Sequence, residues 1–427
     1  MSRVEKFFFI SLPIILTSLI PALLITGPFL PDLVISVCAI IFLINTFKNS
    51  LLLYYKNNFF YFFIIFCIWI IMSSILSKNT LLSFQSSLFY FRFGIFSLST
   101  WYLLNQNEDK LIRYTYLVIL FSFLFLIFDG FYQFYFNKNI LGFPLVEHRI
   151  SSFFGKEWIL GSYLSRFYPI FFAFFILLKK ENTILKNHFL VGLVLIASEI
   201  LIYLTGERTA FFYLNLGAFF LLVQLKDFRL FRLITLIVTI IFIIFISEKK
   251  PEYKSRMIDE TTKQISKTSN FEIFSPQHQL IYEAAYKMFI DNKIIGIGPK
   301  NFRVRCQEPR YFTNREEIAK PSCETHPHNT YLQLLSETGL VGFGFVTITF
   351  LTIIFYCFKH LFMKYFRKKH LFSDIQLSLL IAIIISLWPI APSGNFFNNW
   401  LSVIYYFPVG FLIFFLKKNI KNNSFFR

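Results

Sequence analysis

Thr325-His326-Pro327-His328-Asn329-Thr330, then nine residues after Asn329 Gly339-Leu340-Val341-Gly342, is the stretch around which the chain is organised. Nowhere else do imidazoles, an amide, a proline and paired glycines crowd together. The longest polar segment of the protein precedes it, and an apolar run, Phe343 to Phe358, follows it. A polar cluster at the mouth of an apolar helix meets both lipid and water. The reading of this stretch as the entrance to a membrane span decides the fold.

The rest of the chain agrees. Of 427 residues, 56% are hydrophobic and 15% charged, whereas a soluble domain is about one quarter charged. A span needs about 20 mostly apolar residues. Twelve stretches qualify: 7–25, 31–47, 58–76, 85–104, 112–131, 158–178, 188–204, 209–225, 230–247, 335–358, 374–391 and 399–416. The expected fold is all-α and polytopic, with helices 1–9 over residues 1–247, a polar loop over 248–334 and helices 10–12 over 335–427. The first apolar segment lacks a small-residue cleavage site and reads as a retained helix.

Lys and Arg concentrate in alternate connections, such as Lys179, Lys180 and Lys186, then Lys226, Arg229 and Arg232, then the run from Lys359 to Lys369. The intervening short connections are nearly bare. By the positive-inside rule both termini are cytoplasmic, and the loop 248–334 lies outside. The net charge of +18 therefore sets orientation. It does not indicate nucleic-acid binding, because no basic patch is interleaved with a soluble fold.

The outer loop reads as folded. Ser275-Pro276 is a helix start, with Ser as cap and Pro in the first turn. Leu280, Ile281, Tyr282, Ala284 and Met288 form an apolar stripe at helical spacing, and Gly296-Ile297-Gly298-Pro299 ends the helical pattern. Cys306 and Cys323 both lie in this loop, where an oxidising compartment favours a disulfide. A rival is a metal site of Cys323, His326 and His328, although that spacing matches no familiar zinc pattern. Cys38, Cys67 and Cys357 fall in apolar spans.

Ionisable groups near membrane depth are costly and mark functional candidates. Four sets stand out on the outer side. In Thr205-Gly206-Glu207-Arg208-Thr209, Arg208 is either paired with Glu207 or an anion clamp. The stretch from His148 to Glu157 contributes Arg149, with Arg166 inside the following span. Arg92 lies in the fourth span and needs a counter-charge, for which Asp129 is the candidate. His326, His328 and Asn329 open the tenth span, Asn329 or Thr330 capping its first turn. Imidazole titrates near neutrality, so His328 can accept a proton from an attacking hydroxyl.

His328-Asn329, nine residues, then Gly339-Leu340-Val341-Gly342 resembles the signature of the O-antigen ligase family of bacterial inner-membrane proteins. That family also includes O-antigen polymerases and protein O-oligosaccharyltransferases. Thr205 to Ala210 looks like the arginine-bearing turn of the shared region. Ile294-Ile295-Gly296-Ile297-Gly298-Pro299-Lys300-Asn301-Phe302 resembles its loop segment before the catalytic His. The resemblance covers 205–342. It implies a GT-C-like fold and a metal-independent glycosyltransferase without cofactor. Such an enzyme moves a glycan from undecaprenyl diphosphate to lipid A–core on the periplasmic face. Carried over by position, Arg208 binds the diphosphate and His328 is the catalytic His. The sequence departs from the family at a second loop arginine, where His278 stands; Arg303 and Arg305 are substitutes. Polymerisation of lipid-linked repeats is the alternative reaction. A transporter is the alternative class, against which stand the absence of an internal repeat and the one-sided placement of the polar groups.

Overall fold

The computed structural model describes residues 2–178, 188–262, 274–312 and 322–424, with side chains to 418. Among these the regular structure is helical, the only β pairing being two isolated bridges, Lys138 to Pro144 and Val146 to Arg149. Every predicted apolar stretch falls on a helix. The helices are α1 (Arg3–Thr26), α2 (Phe29–Asn49), α3 (Asn58–Ile75), α4 (Thr80–Ser87), α5 (Phe91–Phe136), α6 (Leu160–Leu178), α7 (His188–Leu204), α8 (Arg208–Gln224), α9 (Arg229–Lys249), α10 (Pro276–Asp291), α11 (Thr330–Phe366), α12 (Asp374–Ser386) and α13 (Asn399–Ser424). Eight helical runs of the described residues are long and apolar enough to cross a membrane. The protein is an all-α, polytopic membrane protein.

Several boundaries differ from the expectation for identifiable reasons. The fourth and fifth predicted spans are one helix, α5, whose connecting turn shrinks to a kink at Asn107 (φ −158°, ψ 82°). Asn107 restarts the helix by accepting the Lys110 N–H at 3.1 Å. The predicted span 374–391 is only the 13-residue α12. Every residue of α12 from Gln376 to Ser386 is buried. A helix enclosed by protein does not need the bilayer's length. It packs against α6, α8 and α13. By contrast α9 leaves most of its apolar surface outward, as a helix facing lipid would.

Two arginines inside the bundle, Arg232 and Arg92, are ion-paired. Arg232 of α9, counted from sequence among the orientation-setting surface charges, is instead fully buried and ion-paired to fully buried Glu199 of α7 at 2.7 Å. The Tyr168 hydroxyl donates to the same Glu199 oxygen. Arg92 pairs with Asp32 of α2 at 2.7 Å and donates to Asn399 at 3.1 Å. Asp129, the partner expected from sequence, accepts from the Ser152 hydroxyl at 2.6 Å and the Ile140 N–H at 2.8 Å. Removing one member of a buried pair costs about 3–5 kcal/mol, whereas replacing both by apolar residues is often neutral. Arg232→Leu alone should therefore lower the thermal unfolding midpoint in detergent strongly. The double change Arg232→Met with Glu199→Leu should restore most of it.

Candidate active site

The site is assembled where the loop after α10 meets the broken start of α11. Gly339 (φ +67°, ψ −171°) interrupts α11 one turn before its apolar length. A Cβ there would stand 2.0 Å from the Ile294 carbonyl oxygen. Glycine is thus required both for the backbone angle and for the approach of the loop. Gly342, one turn on, faces the Thr338 side chain of its own helix. The loop locks to the break through Ile297 N–H to Ser336 O (2.9 Å), Gly298 N–H to Glu337 O (2.8 Å) and Leu340 N–H to Lys293 O (2.8 Å). From α3, the Trp69 indole donates to Thr338 O at 2.9 Å and the Ser73 hydroxyl to Ile295 O at 2.8 Å. The short first segment of α11 is therefore held from two sides.

His328 stands immediately before that segment with φ +54°. A left-handed backbone is uncommon for a side chain other than Gly or Asn, and persists where surrounding contacts enforce it. Those contacts are visible. The Ser393 N–H donates to His328 O at 2.8 Å. Asn329 caps α11 by accepting the N–H groups of Tyr331 (2.9 Å) and Leu332 (3.1 Å), and its own amide donates to Pro389 O at 2.8 Å. Asn329, a predicted substrate contact, is thus occupied as a cap and positions its neighbour.

Three imidazoles gather here. The His326 and His328 ring centres are 4.1 Å apart, and those of His278 and His328 are 5.7 Å apart. His278 enters because Ser275 caps α10 as the sequence predicts, and its Nδ1 is 2.7 Å from the Ser275 hydroxyl. Burial lowers the His328 pKa below its ordinary value. Burial, His328 and Arg208 push His278 down to about 4. Burial and His328 push His326 down to about 3. Burial thus favours the neutral form of all three, the form that accepts a proton or a hydrogen bond.

Arg208 and Arg303 flank this cluster, and Arg149 and Arg256 gather at the turn before Arg208. Arg208 begins α8, its Nη1 is 3.4 Å from the Thr261 hydroxyl, and its charge bears on His278. Arg303, on a single turn after the loop, bears on His326; its Nε is buried without a hydrogen-bond partner. Arg149 stacks on Trp158 at 4.0 Å and its Nε is 3.4 Å from Thr205 O. Burial and the Arg256 charge lower its pKa to about 10. Arg256 donates to Gly206 O at 3.3 Å, and a Cβ on Gly206 (φ +67°) would strike Arg256 Nε at 2.6 Å. Arg256 was not singled out from sequence, because nothing local ties residue 256 to the turn at 205–208.

Other predicted contacts are spent elsewhere. Glu207 does not pair with Arg208. Its oxygens accept the N–H groups of Gly161 (2.7 Å) and Ser162 (3.1 Å) at the start of α6, so it positions the turn. Burial raises its pKa to about 7 against the pull of those N–H groups and of Arg149. Arg305 is 4% exposed and is bound to Glu308 at 2.5 Å, which removes it as a substitute for the absent family arginine. Arg92, tied to Asp32 and Asn399, does not join the histidines. Cys306 and Cys323 are disulfide-bonded, with Cα atoms 5.1 Å apart. That bond takes Cys323 out of any metal set with His326 and His328. Among the described residues no group of His, Cys, Asp and Glu side chains is arranged to hold a metal.

Residues 191–347 match the family model described as O-antigen ligase. The chain carries an O-antigen ligase domain. No curated protein matches the chain. The O-antigen ligase domain runs from α7 to just beyond the break in α11. It holds Arg208, Arg256, His278, Arg303, His326, His328 and Gly339, which are the parts that converge. Arg149 and the α6 cap lie outside it. Over that stretch the chain is similar to O-antigen ligases, which supports a glycosyltransferase activity of the O-antigen ligase or polymerase type.

Proposed function

We propose that the protein transfers a glycan from an undecaprenyl diphosphate carrier to a lipid A–core acceptor at the periplasmic face of the inner membrane. The single observation that carries this reading is the approach of His328, strained and neutral, to an Arg208-flanked His278. It supports a base and an anion clamp in one pocket. The runs of Lys and Arg at the opposite ends of these helices support a periplasmic position for it by the positive-inside rule.

In the reaction the acceptor hydroxyl gives its proton to a His328 ring nitrogen while its oxygen bonds to the sugar C1. The bond from C1 to the phosphate oxygen breaks, and the diphosphate leaves with the electron pair. Arg208 and Arg303, fixed before the reaction, stabilise the charge gained by the leaving group. The activated donor supplies the driving force. An apolar groove of about 860 Å³ between α3, α11, α12 and α13, lined by Phe62, Phe66, Phe345, Ile353 and Tyr405 among others, suits a hydrocarbon chain.

The deciding experiment gives purified protein in lipid nanodiscs a lipid-linked glycan, with either lipid A–core or more lipid-linked repeats as acceptor. Glycan on lipid A–core supports the ligase reading. Longer lipid-linked chains with bare core identify a polymerase. No product with either acceptor, from a donor that a known ligase consumes, refutes glycan transfer. The pH profile offers a second check. The neutral imidazole is the accepting form, and burial keeps His328 neutral to lower pH. The acid limb of kcat/KM should therefore have its midpoint below the ordinary His value of 6.5. A midpoint at or above that value contradicts the assignment of His328 as base.

A further inference from the structure

Beneath the histidines lies a second polar layer that the proposed chemistry does not use. Helices α6, α8 and α13 all begin at this end of the bundle, and each carries a polar group five or six residues in: Arg166, Tyr213 and Tyr405. At 1.5 Å per residue these lie about 8–9 Å below the helix starts. Tyr282 of α10 reaches towards the same level: its ring contacts that of His278 at 5.9 Å, and its hydroxyl lies within electrostatic reach of Tyr213. Tyr405 lies within electrostatic reach of both Arg166 and Tyr213.

Arg166 is the unusual member. It is 3% exposed. Its guanidinium stacks on the Tyr213 ring at 4.8 Å, and its Nη1 donates to Ser162 O at 3.2 Å. Its Nε is buried without a hydrogen-bond partner, as are the hydroxyls of Tyr213 and Tyr282. Glu207 lies within electrostatic reach, but both its oxygens are committed to the backbone of α6. No carboxylate of the described residues ion-pairs with Arg166. A buried guanidinium normally has a carboxylate, as Arg232 has Glu199, or binds an anion. Leaving buried donors unmade is costly, so a partner from outside the protein is the reading that satisfies all three groups together.

We infer that Arg166, Tyr213 and Tyr282 form the floor of the cleft, a subsite for an oxyanion delivered past the histidines. This rests on the proposed glycan transfer, and adds to it an anion contact whose guanidinium, Arg166, lies outside the matched domain. The ligand chemistry is a phosphate or a carboxylate. It is supplied either by the donor's diphosphate or by an acidic sugar of the glycan.

The test measures Kd for geranylgeranyl diphosphate, geranylgeraniol, glucuronate and glucose with the full-length protein in detergent. Parent, Arg166→Met, Tyr213→Phe, Tyr282→Phe and Arg208→Ala proteins are compared. A hydrogen bond to a charged group is worth about tenfold or more in affinity. Arg166→Met should weaken one of the two anionic probes by about that factor and leave the neutral probes unchanged. The probe affected, diphosphate or glucuronate, identifies the source. The two Phe variants each delete one oxygen and keep the packing, so they carry the test if Arg166→Met fails to fold. Anion affinities equal to the parent's in Tyr213→Phe and Tyr282→Phe, and in Arg166→Met where it folds, overturn the floor subsite. If Arg208→Ala then still loses diphosphate binding, the proposed transfer stands without it. If Arg208→Ala also binds like the parent, both fall.

Discussion

Replacing His328 by Asn should reduce glycan transfer by about 10²–10⁴-fold, the usual contribution of a positioned base. Asn is the informative substitution because His328 sits at φ +54°. Asn tolerates the left-handed region, whereas Ala there adds about 1–2 kcal/mol of backbone strain and confounds chemistry with folding. His328→Ala should therefore lose as much activity and also unfold earlier. His278→Asn should lose less, since its ring is held against the Ser275 hydroxyl at 2.7 Å and supports rather than replaces His328. The measurement is single-turnover transfer with purified variants whose size-exclusion profiles match the parent. Near-parental rates in His328→Asn would remove the base from the mechanism.

Arg208→Ala should cost about 10²–10³-fold in kcat, the size found when one fixed donor to a developing oxyanion is deleted. Its site at the first residue of α8 makes the change local. No helix hydrogen bond depends on its side chain, and the turn before it is held independently by Glu207 on the α6 backbone. Arg208→Lys should recover only part of the rate, because a point charge lacks the planar fork that grips two phosphate oxygens. Arg303→Ala should be weaker than Arg208→Ala and stronger than Arg305→Ala. Arg305 is a structural partner of Glu308, and its loss should appear in thermal stability before activity. Equal activity losses for Arg303 and Arg305 would show that the single turn 302–305 acts through folding alone.

The site was half legible beforehand. The imidazoles at 326 and 328, the cap at Asn329 and the helix start at Ser275 are local patterns of a few residues, and each stands where the sequence puts it. Arg149 and Arg208 stand out because basic residues at the outer ends of apolar runs are costly and conspicuous, and Arg303 stands out through the family resemblance. What the sequence does not show is that Glu207 and Arg305 are held by partners of their own. Glu207 reaches α6, some 45 residues earlier. Arg256 gives no local signal at all, and Arg166 shows only as a charge inside a span; the tyrosines that surround it are decided by the packing of other helices.

The sequence by itself determined which stretches of the chain are apolar and that its polar chemistry gathers at one end. Hydrophobic length and capping are local properties, written in consecutive residues. The tertiary structure alone decided which charges face each other. Arg92 met Asp32 rather than Asp129, Arg232 met Glu199, and Arg166 was left with a tyrosine ring and no carboxylate. Those choices follow from the side-by-side order of helices far apart in the chain, and in a low-dielectric bundle each charge must settle with whatever neighbour that order supplies.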